Sequence, residues 1–132
     1  MDTKAVATKL VELCKQGKFL DAVNTLYSND IVSVEPMGNA QMPAEMRGID
    51  KVRGKNQWWM DNHEMHHAEV FGPFIHGDRF IVGFHIDVSA KAGPKAGKRM
   101  TLSETALYLV KDGKVAREEF FMHANMCPGE GQ

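Results

Sequence analysis

The spacing of apolar residues along this 132-residue chain is mainly helical before about residue 65 and alternating after it, and this change constrains the fold. Before it, apolar residues recur every three or four positions, as in an amphipathic helix, and after it they alternate, as in a strand. The first part predicts helices over 3–16, 18–28 and 49–61, with a β-branched strand at 31–35. The second part predicts four successive strands, over 65–76, 79–90, 99–111 and 114–123.

The predicted strands are joined by short separators, which indicate antiparallel hairpins. Helices that precede such a sheet and cover one face of it define an α+β domain. We therefore expect a strongly curved antiparallel sheet of about five strands, wrapped on three N-terminal helices, conical and with an interior pocket. The chain has the length of one domain, over 1–132, and we expect a disordered tail at 127–132.

Charge and cysteine content exclude several classes of function. Lys and Arg total 16 and Asp and Glu total 17, so the chain lacks the basic field that drives nucleic-acid binding. Its apolar runs are shorter than the ~18 residues of a membrane span, and its start does not resemble a secretory signal. Cys14 and Cys127 fall in a predicted helix and in the tail, which argues against a disulfide framework. We expect a cytoplasmic protein with no nucleic-acid or membrane partner.

Residues 63–67 (HEMHH) match the zinc-protease pattern H-E-x-x-H, which requires both histidines one turn apart on a helix. Here the match lies where the third helix ends and a strand begins, so we do not predict a metal. Residues 93–99 (GPKAGKR) resemble a phosphate-binding loop, but they are expected between two strands. Ser89 or Ser103 could join a histidine and an acid, although no nucleophile-elbow sequence is present.

The segment 36–48 is irregular and contains three methionines, Met37, Met42 and Met46. Two interpretations stay open. It is either a surface loop whose methionines pack on the core, or a flexible lid that roofs an apolar pocket.

Several short motifs are together similar to one known superfamily. Two short helices run into a strand that ends Glu35-Pro36-Met37-Gly38, and the later segments 47–49 (RGI), 58–59 (WW), 72–74 (GPF) and 112–120 (DGKVAREEF) follow in order. This arrangement resembles the SnoaL-like and ketosteroid isomerase-like superfamily, which shares the conical fold of nuclear transport factor two. The resemblance covers about residues 3–123.

The resemblance implies where a site would lie. The catalytic base of the isomerases falls on Glu35, and their acidic oxyanion donor falls on Glu104. Their tyrosine donor falls near Leu10, which cannot donate a hydrogen bond. The resemblance therefore implies a cofactor-free isomerase, cyclase or dehydratase, although not one with the oxyanion hole of the steroid isomerases.

Alternation along the last two strands leads to the same region of the fold. It places Glu104 in one apolar row and Glu118 in another. If residues 111–113 form a three-residue loop, Glu118 is a diagonal neighbour of Glu104 at ~7–8 Å. A two-residue Asp-Gly turn would instead place Glu119 on the Glu104 face. We prefer the three-residue loop because it agrees with the register of the superfamily.

Close carboxylates in an apolar interior raise one another's pKa and can serve as acid and base near neutral pH. We therefore predict catalytic roles for Glu35, Glu104 and Glu118 in proton transfer next to a carbonyl, without a cofactor. An equally weighted interpretation is that Glu104 forms a structural hydrogen bond to a buried tyrosine, histidine or tryptophan. Two other functions remain open: a non-catalytic binding protein for a small apolar or acidic metabolite, and a partner-binding role of the outer sheet face.

The expected ligand is a small apolar or carbonyl-containing molecule. Eight residues are predicted to bind it: Trp58, Trp59, His85, Tyr108, Phe120, Met122, Met37 and Met42. We also expect a homodimer, formed through an outer sheet face that includes Thr101, Ser103, Thr105, Leu107 and Leu109.

Overall fold

A computed structural model describes residues 1–40 and 42–126. Its three α-helices confirm the predicted ones: α1 (Thr3–Lys15), α2 (Phe19–Leu26) and α3 (Ile49–Asn62). The carboxylate of Asp2 caps α1 by accepting a hydrogen bond from the backbone N–H of Ala5 at 2.8 Å. The predicted disordered tail and Cys127 lie outside the described residues. No helix within the described part combines the length and apolar character needed to cross a membrane.

Six strands form one sheet in the order β2-β1-β6-β5-β4-β3. Their bounds are β1 (Tyr27–Val34), β2 (Glu45–Arg47), β3 (His63–His76), β4 (Arg79–Ala90), β5 (Arg99–Lys111) and β6 (Lys114–Met122). All neighbours are antiparallel except β1 and β6, which run parallel. The expected number was about five, and the additional strand is β2. It was missed because its three residues lie in the irregular segment and pair only with the end of β1.

The helices cover one face of the sheet, and the core lies between the two layers. Alternation sorts each strand accordingly: Phe80, Val82, Phe84, Ile86 and Val88 of β4 are buried, whereas the residues between them are exposed or half-buried. Helix α1 contributes Val6, Leu10 and Cys14 to this core, among others. The α+β class expected from the sequence is confirmed.

The β5–β6 hairpin differs from the preferred prediction. Lys111 pairs with Lys114, so the loop has two residues, Asp112 and Gly113, both with positive φ (52° and 76°) as in a type I′ turn. A β-bulge between Leu109 and Val110 then adds one residue, Ala116, to β6. The shorter turn and the bulge each shift the pairing of β6 with β5 by one residue. A shift of two residues restores the predicted face, so Glu118 rather than Glu119 points toward the helices.

The predicted distance between Glu104 and Glu118 is wrong for the same reason. Glu104 lies opposite Met122, and Glu118 lies opposite Tyr108. The two acids share a face of the sheet, but Glu118 lies four positions before Met122, the strand partner of Glu104. They are therefore not diagonal neighbours.

Candidate functional site

A cavity of about 390 Å³ lies between the helices and the inner face of the sheet. Its wall is mainly apolar and includes the aromatic residues Phe19, Tyr27, Trp58, Trp59, Phe84, Tyr108 and Phe120. Four charged side chains also line it: Glu35, Lys55, Glu104 and Glu118. An apolar cavity with a few convergent polar groups is the usual form of a small-molecule site.

Glu118 lies at the base of the cavity, with 1% of its surface exposed. One carboxylate oxygen accepts a short hydrogen bond from the Tyr27 hydroxyl, and the other accepts one from Ser33 Oγ at 2.7 Å. Burial raises the pKa of Glu118, and the nearby Lys55 ammonium opposes this increase. Glu118 is thus fixed by its partners rather than open to the cavity.

Lys55 links this buried acid to the mouth of the cavity. Its Nζ donates hydrogen bonds to Ser33 Oγ at 2.6 Å and to Glu35 Oε1 at 2.9 Å, and it lies 4.0 Å from Glu118 Oε2. Its side chain is 10% exposed and that of Glu35 is 31% exposed. A continuous polar chain therefore runs from Glu35 through Lys55 and Ser33 to Glu118.

Glu104 differs from the other two acids because no described residue forms a hydrogen bond or an ion pair with its carboxyl group. It lies half-buried on β5, in the cavity wall. Burial raises its pKa to about 7, the negative charge of Glu35 acts in the same direction, and Lys55 opposes both. A carboxyl group with these properties can hold or release a proton near neutral pH.

The three hydroxyl and thiol groups deep in the cavity are poor acids. Burial raises the pKa of Tyr27 and Tyr108 well above the usual tyrosine value, and the charge of Glu118 adds to the effect. Burial, with the same charge, raises the pKa of the Cys14 thiol to about 12. Cys14 is therefore a neutral part of the wall at physiological pH and not a thiolate nucleophile.

The mouth of the cavity is formed by α3 and by the segment between β1 and β2. Met37 and Met42 line it, as predicted, together with Trp58 and Met60. Met46 does not belong to the lining, because it lies on β2 opposite Ser33. The segment contains its own hydrogen bonds, such as that from the backbone N–H of Met42 to Asn39 Oδ1 at 2.8 Å. That it moves as a lid stays a prediction.

Two predicted binding residues are not in the cavity wall. His85 is exposed on the opposite face of β4, where its Nδ1 lies 2.8 Å from Ser103 Oγ. The apolar neighbours of His85 led to the prediction, but alternation places Phe84 and Ile86 inward and His85 outward. Met122 lies opposite Glu104 and is half-buried, yet it is not part of the lining.

The remaining predicted residues converge on the cavity: Glu35, Glu104, Glu118, Trp58, Trp59, Tyr108, Phe120, Met37 and Met42. The sequence reasoning missed Lys55. A signal was available, because Lys55 lies three residues after Val52 and four before Trp59, on the apolar stripe of α3. A lysine on such a stripe requires an acidic partner inside the fold.

The H-E-x-x-H match does not form a metal site of the protease type. Asn62 ends α3, and residues 63–67 belong to β3, where His63 stacks on Trp59 with ring centroids 4.5 Å apart. Within 1–40 and 42–126, no group of three or more His, Cys, Asp or Glu side chains is arranged to hold a metal ion.

Three helices over one face of a six-stranded sheet, enclosing an acid-containing apolar cavity, define a class of small pocket proteins. This chain belongs to the SnoaL-like family, because the model of the SnoaL-like domain matches residues 1–122. No curated protein matches the sequence significantly.

Solved structures show the same fold. A Mesorhizobium loti protein, provisionally described as a SnoaL-like polyketide cyclase, is 39% identical, with a TM-score of 0.83 over 92% of this chain and 99% of that chain. A nuclear transport factor two-like protein of unknown function from Burkholderia pseudomallei is 17% identical, with a TM-score of 0.72 over 93% and 92% of the two chains.

A third similar structure contains a small ligand. This Catenulispora acidiphila protein has a ketosteroid isomerase-like fold, is in complex with trimethylamine, and is 15% identical with a TM-score of 0.68. The match covers 90% of this chain and 85% of that chain. At such identities the likeness establishes the fold alone, because one fold hosts many functions.

Proposed function

We propose that this protein catalyses cofactor-free proton transfer next to a carbonyl group, as an isomerase, cyclase or dehydratase, with Glu104 as the group that exchanges the proton. The observation that carries the proposal is the state of the Glu104 carboxyl. It lines a mainly apolar cavity, forms no hydrogen bond or ion pair with any described residue, and has a pKa raised to about 7.

The three acids of the cavity have different roles in this proposal. A general base needs a carboxylate oxygen that can reach the substrate, and hydrogen bonds from the protein occupy such oxygens. Glu118 accepts from Tyr27 and Ser33, and Glu35 accepts from Lys55, whereas Glu104 has neither restriction. Glu104 therefore moves the proton, while Glu118 and Glu35 hold Lys55 and maintain the charge of the cavity.

Hydrogen–deuterium exchange tests this role without knowledge of the natural substrate. The probe is 2-tetralone, a neutral bicyclic ketone with acidic protons beside the carbonyl, followed by proton NMR in D₂O. We expect the wild-type protein to accelerate exchange above the buffer rate, and Glu104→Gln to reduce this acceleration by at least about a hundredfold. Glu119→Gln, which changes an acid on the opposite face of β6, is the matched control.

Exchange at the buffer rate with wild-type protein would contradict the proposal. So would a Glu104→Gln variant that exchanges as fast as the wild type. A catalytic role predicts the loss of exchange with the fold retained, which circular dichroism and thermal unfolding of the variant would establish.

A non-catalytic binding protein is the second candidate function. Glu118, the most buried acid, has both oxygens occupied by structural hydrogen bonds, which is what a rigid binding cavity requires. Native mass spectrometry of the purified protein tests this candidate. A retained intact small molecule, together with no exchange activity, would favour binding over catalysis.

We also propose that the outer face of the sheet forms a homodimer. Phe71, Phe74, Ile81 and Phe121 are exposed there, and strand pairing places Phe74 beside Ile81 and Phe121 beside Thr105. Leu107 pairs with Ile81 and continues the apolar surface. Clustered aromatic and aliphatic side chains on one face are typical of a protein interface.

A further inference from the structure

One of the N–H groups of the Lys55 ammonium forms no hydrogen bond to a described residue. It carries three N–H groups, and two of them are used by Ser33 Oγ at 2.6 Å and Glu35 Oε1 at 2.9 Å. Glu118 Oε2 is 4.0 Å away, beyond hydrogen-bond distance. Because Lys55 lines the cavity and its side chain is only 10% exposed, an acceptor for the third N–H would come from a bound molecule.

Lys55 and Glu104 both lie next to the Phe120 ring. The Lys55 ammonium lies 5.2 Å from the centroid of the Phe120 ring. Met122 is the strand partner of Glu104, and Phe120 lies two residues before Met122. Phe120 is therefore a diagonal neighbour of Glu104 on the inner face of the sheet. A molecule bound beside Phe120 would thus be close to both the Lys55 ammonium and the Glu104 carboxyl group.

We propose that Lys55 binds the carbonyl oxygen of the ligand, and that the ligand class is a neutral, planar, enolisable carbonyl compound bound beside Phe120. This inference rests on the function proposed above, and it adds the group that recognises the ligand. The oxygen faces the ammonium on α3, and the acidic carbon faces Glu104 on β5.

The charges of the cavity favour a neutral ligand over a carboxylate. Three carboxyl groups line it against one ammonium, and two of these carboxyl groups already surround that ammonium. An anionic ligand would add another negative charge to an apolar cavity, which is unfavourable. A carbonyl oxygen accepts the remaining N–H without bringing a charge.

The proposed step balances without a further reactant. The Glu104 carboxylate takes a proton from the carbon beside the carbonyl. The C–H electron pair becomes the C=C bond of an enolate, and the carbonyl π pair moves to the oxygen beside the Lys55 ammonium. Glu104 then returns the proton to carbon. The positive charge near the oxygen stabilises the negative charge that develops there.

Two aromatic probes of nearly equal shape test the oxygen site by binding alone. They are 2-naphthol, a planar mimic of an enol, and 2-methylnaphthalene, in which a methyl group replaces the hydroxyl; each is titrated by its own fluorescence. For the wild-type protein we expect at least about tenfold tighter binding of 2-naphthol, because a hydrogen bond to a charged group is being added. Lys55→Met should reduce this ratio to about one.

Lys51→Met is the matched control, because Lys51 is an exposed lysine on the same helix and does not line the cavity. Lys55→Met also destabilises the fold, because it leaves Glu118 without its nearby cation. The comparison is therefore repeated in a Glu118→Gln background, where no buried carboxylate needs neutralising. In that background we expect the single variant Glu118→Gln to prefer 2-naphthol, and the double variant Glu118→Gln, Lys55→Met to bind the two probes about equally.

The inference is overturned if wild-type protein does not bind 2-naphthol, if it binds the two probes equally, or if Lys55→Met keeps the ratio. Its failure is distinguishable from failure of the proposed function. If Lys55→Met removes the preference for 2-naphthol but wild-type protein does not exchange protons of 2-tetralone, the role of Lys55 in binding oxygen is supported and the proposed catalysis is contradicted. If Glu104→Gln abolishes exchange and Lys55→Met keeps the preference for 2-naphthol, the proposed catalysis is supported and the role of Lys55 in binding oxygen is contradicted.

Discussion

Tyr108 of β5 lies directly opposite Glu118 of β6, and this pairing places the buried carboxylate at the base of the cavity. From there Glu118 reaches Tyr27 and Ser33 on β1, the parallel neighbour of β6. The central strands of the sheet and α3 are therefore held together around one acid. Glu104 lies on the same face of the sheet but forms no such hydrogen bonds. The sheet therefore carries one acid that is held by hydrogen bonds, Glu118, and one that is not, Glu104.

Removal of the Glu118 carboxylate should strongly destabilise the protein. Glu118→Ala leaves the hydroxyl groups of Tyr27 and Ser33 without their buried acceptor and removes the negative charge 4.0 Å from Lys55, so we expect a loss of about 3–5 kcal/mol in the free energy of unfolding. Glu118→Gln keeps an acceptor and should lose less. Urea denaturation measures both, and equal losses for the two variants would contradict the network.

Glu104 should make the stability of the protein depend on pH. Its folded pKa of about 7 lies above the ordinary glutamate value of 4.5, so between these values the folded state binds more protons than the unfolded state. Stability is therefore lost as the pH rises from about 4.5 to about 7. Glu104→Gln removes this loss, and its stability relative to wild type should increase by about 1–3 kcal/mol between pH 5 and pH 8.

Thermal unfolding of wild-type protein and Glu104→Gln at several pH values measures this difference. Glu119→Gln, on the other face of the sheet, should show no such increase. A constant difference between wild type and Glu104→Gln across this range would show that the Glu104 pKa is not raised.

The exchange activity should follow the ionisation of the same group. If Glu104 is the base, only its carboxylate form takes a proton from carbon, so the rate with 2-tetralone should rise through pH 7 and level off above it. The rate is measured by NMR after subtraction of the buffer reaction. A rate that falls as the pH rises through 7 would require a protonated acid instead.

The β5–β6 turn should be sensitive to a side chain at its second position. Gly113 has φ 76°, and an added Cβ would lie 3.0 Å from backbone atoms of Met1, so Gly113→Ala should cost about 1–2 kcal/mol. Asp112→Asn is the control and should change stability by less than about 0.5 kcal/mol, because asparagine also suits a type I′ turn. Chemical denaturation compares the two, and equal effects would argue against this turn.

A charge on the outer sheet face should prevent the proposed homodimer. Ile81→Glu or Phe121→Glu adds an acid within the exposed apolar surface, which would be buried on association. We expect the wild-type protein to sediment as a dimer and these variants as monomers in analytical ultracentrifugation. Lys9→Glu, on the exposed side of α1, should remain dimeric. A monomeric wild-type protein would contradict the proposal.

The periodicity of the sequence predicted most of the fold because helices and strands repeat local patterns. Helical spacing before about residue 65, interrupted by the β-branched run at 31–35, and alternation after it predicted the order of α1, α2, β1, α3 and the four-strand meander. Strand β2 has only three residues, too few for any period to be detected. The hairpin loop was predicted too long because a bulge at Ala116 is decided by pairing with β5 and not by local sequence.

The sequence by itself determined which residues could face the interior, and so it identified Glu104, Glu118 and the aromatic wall. It could not determine what each acid meets there, because hydrogen bonds such as Tyr27–Glu118 join residues 91 positions apart. Only the tertiary structure brought Lys55 of α3 between Glu35 and Glu118 and left Glu104 without a described partner. The physical reason is that a pKa depends on burial and on charges within a few ångströms, and packing between distant elements sets both.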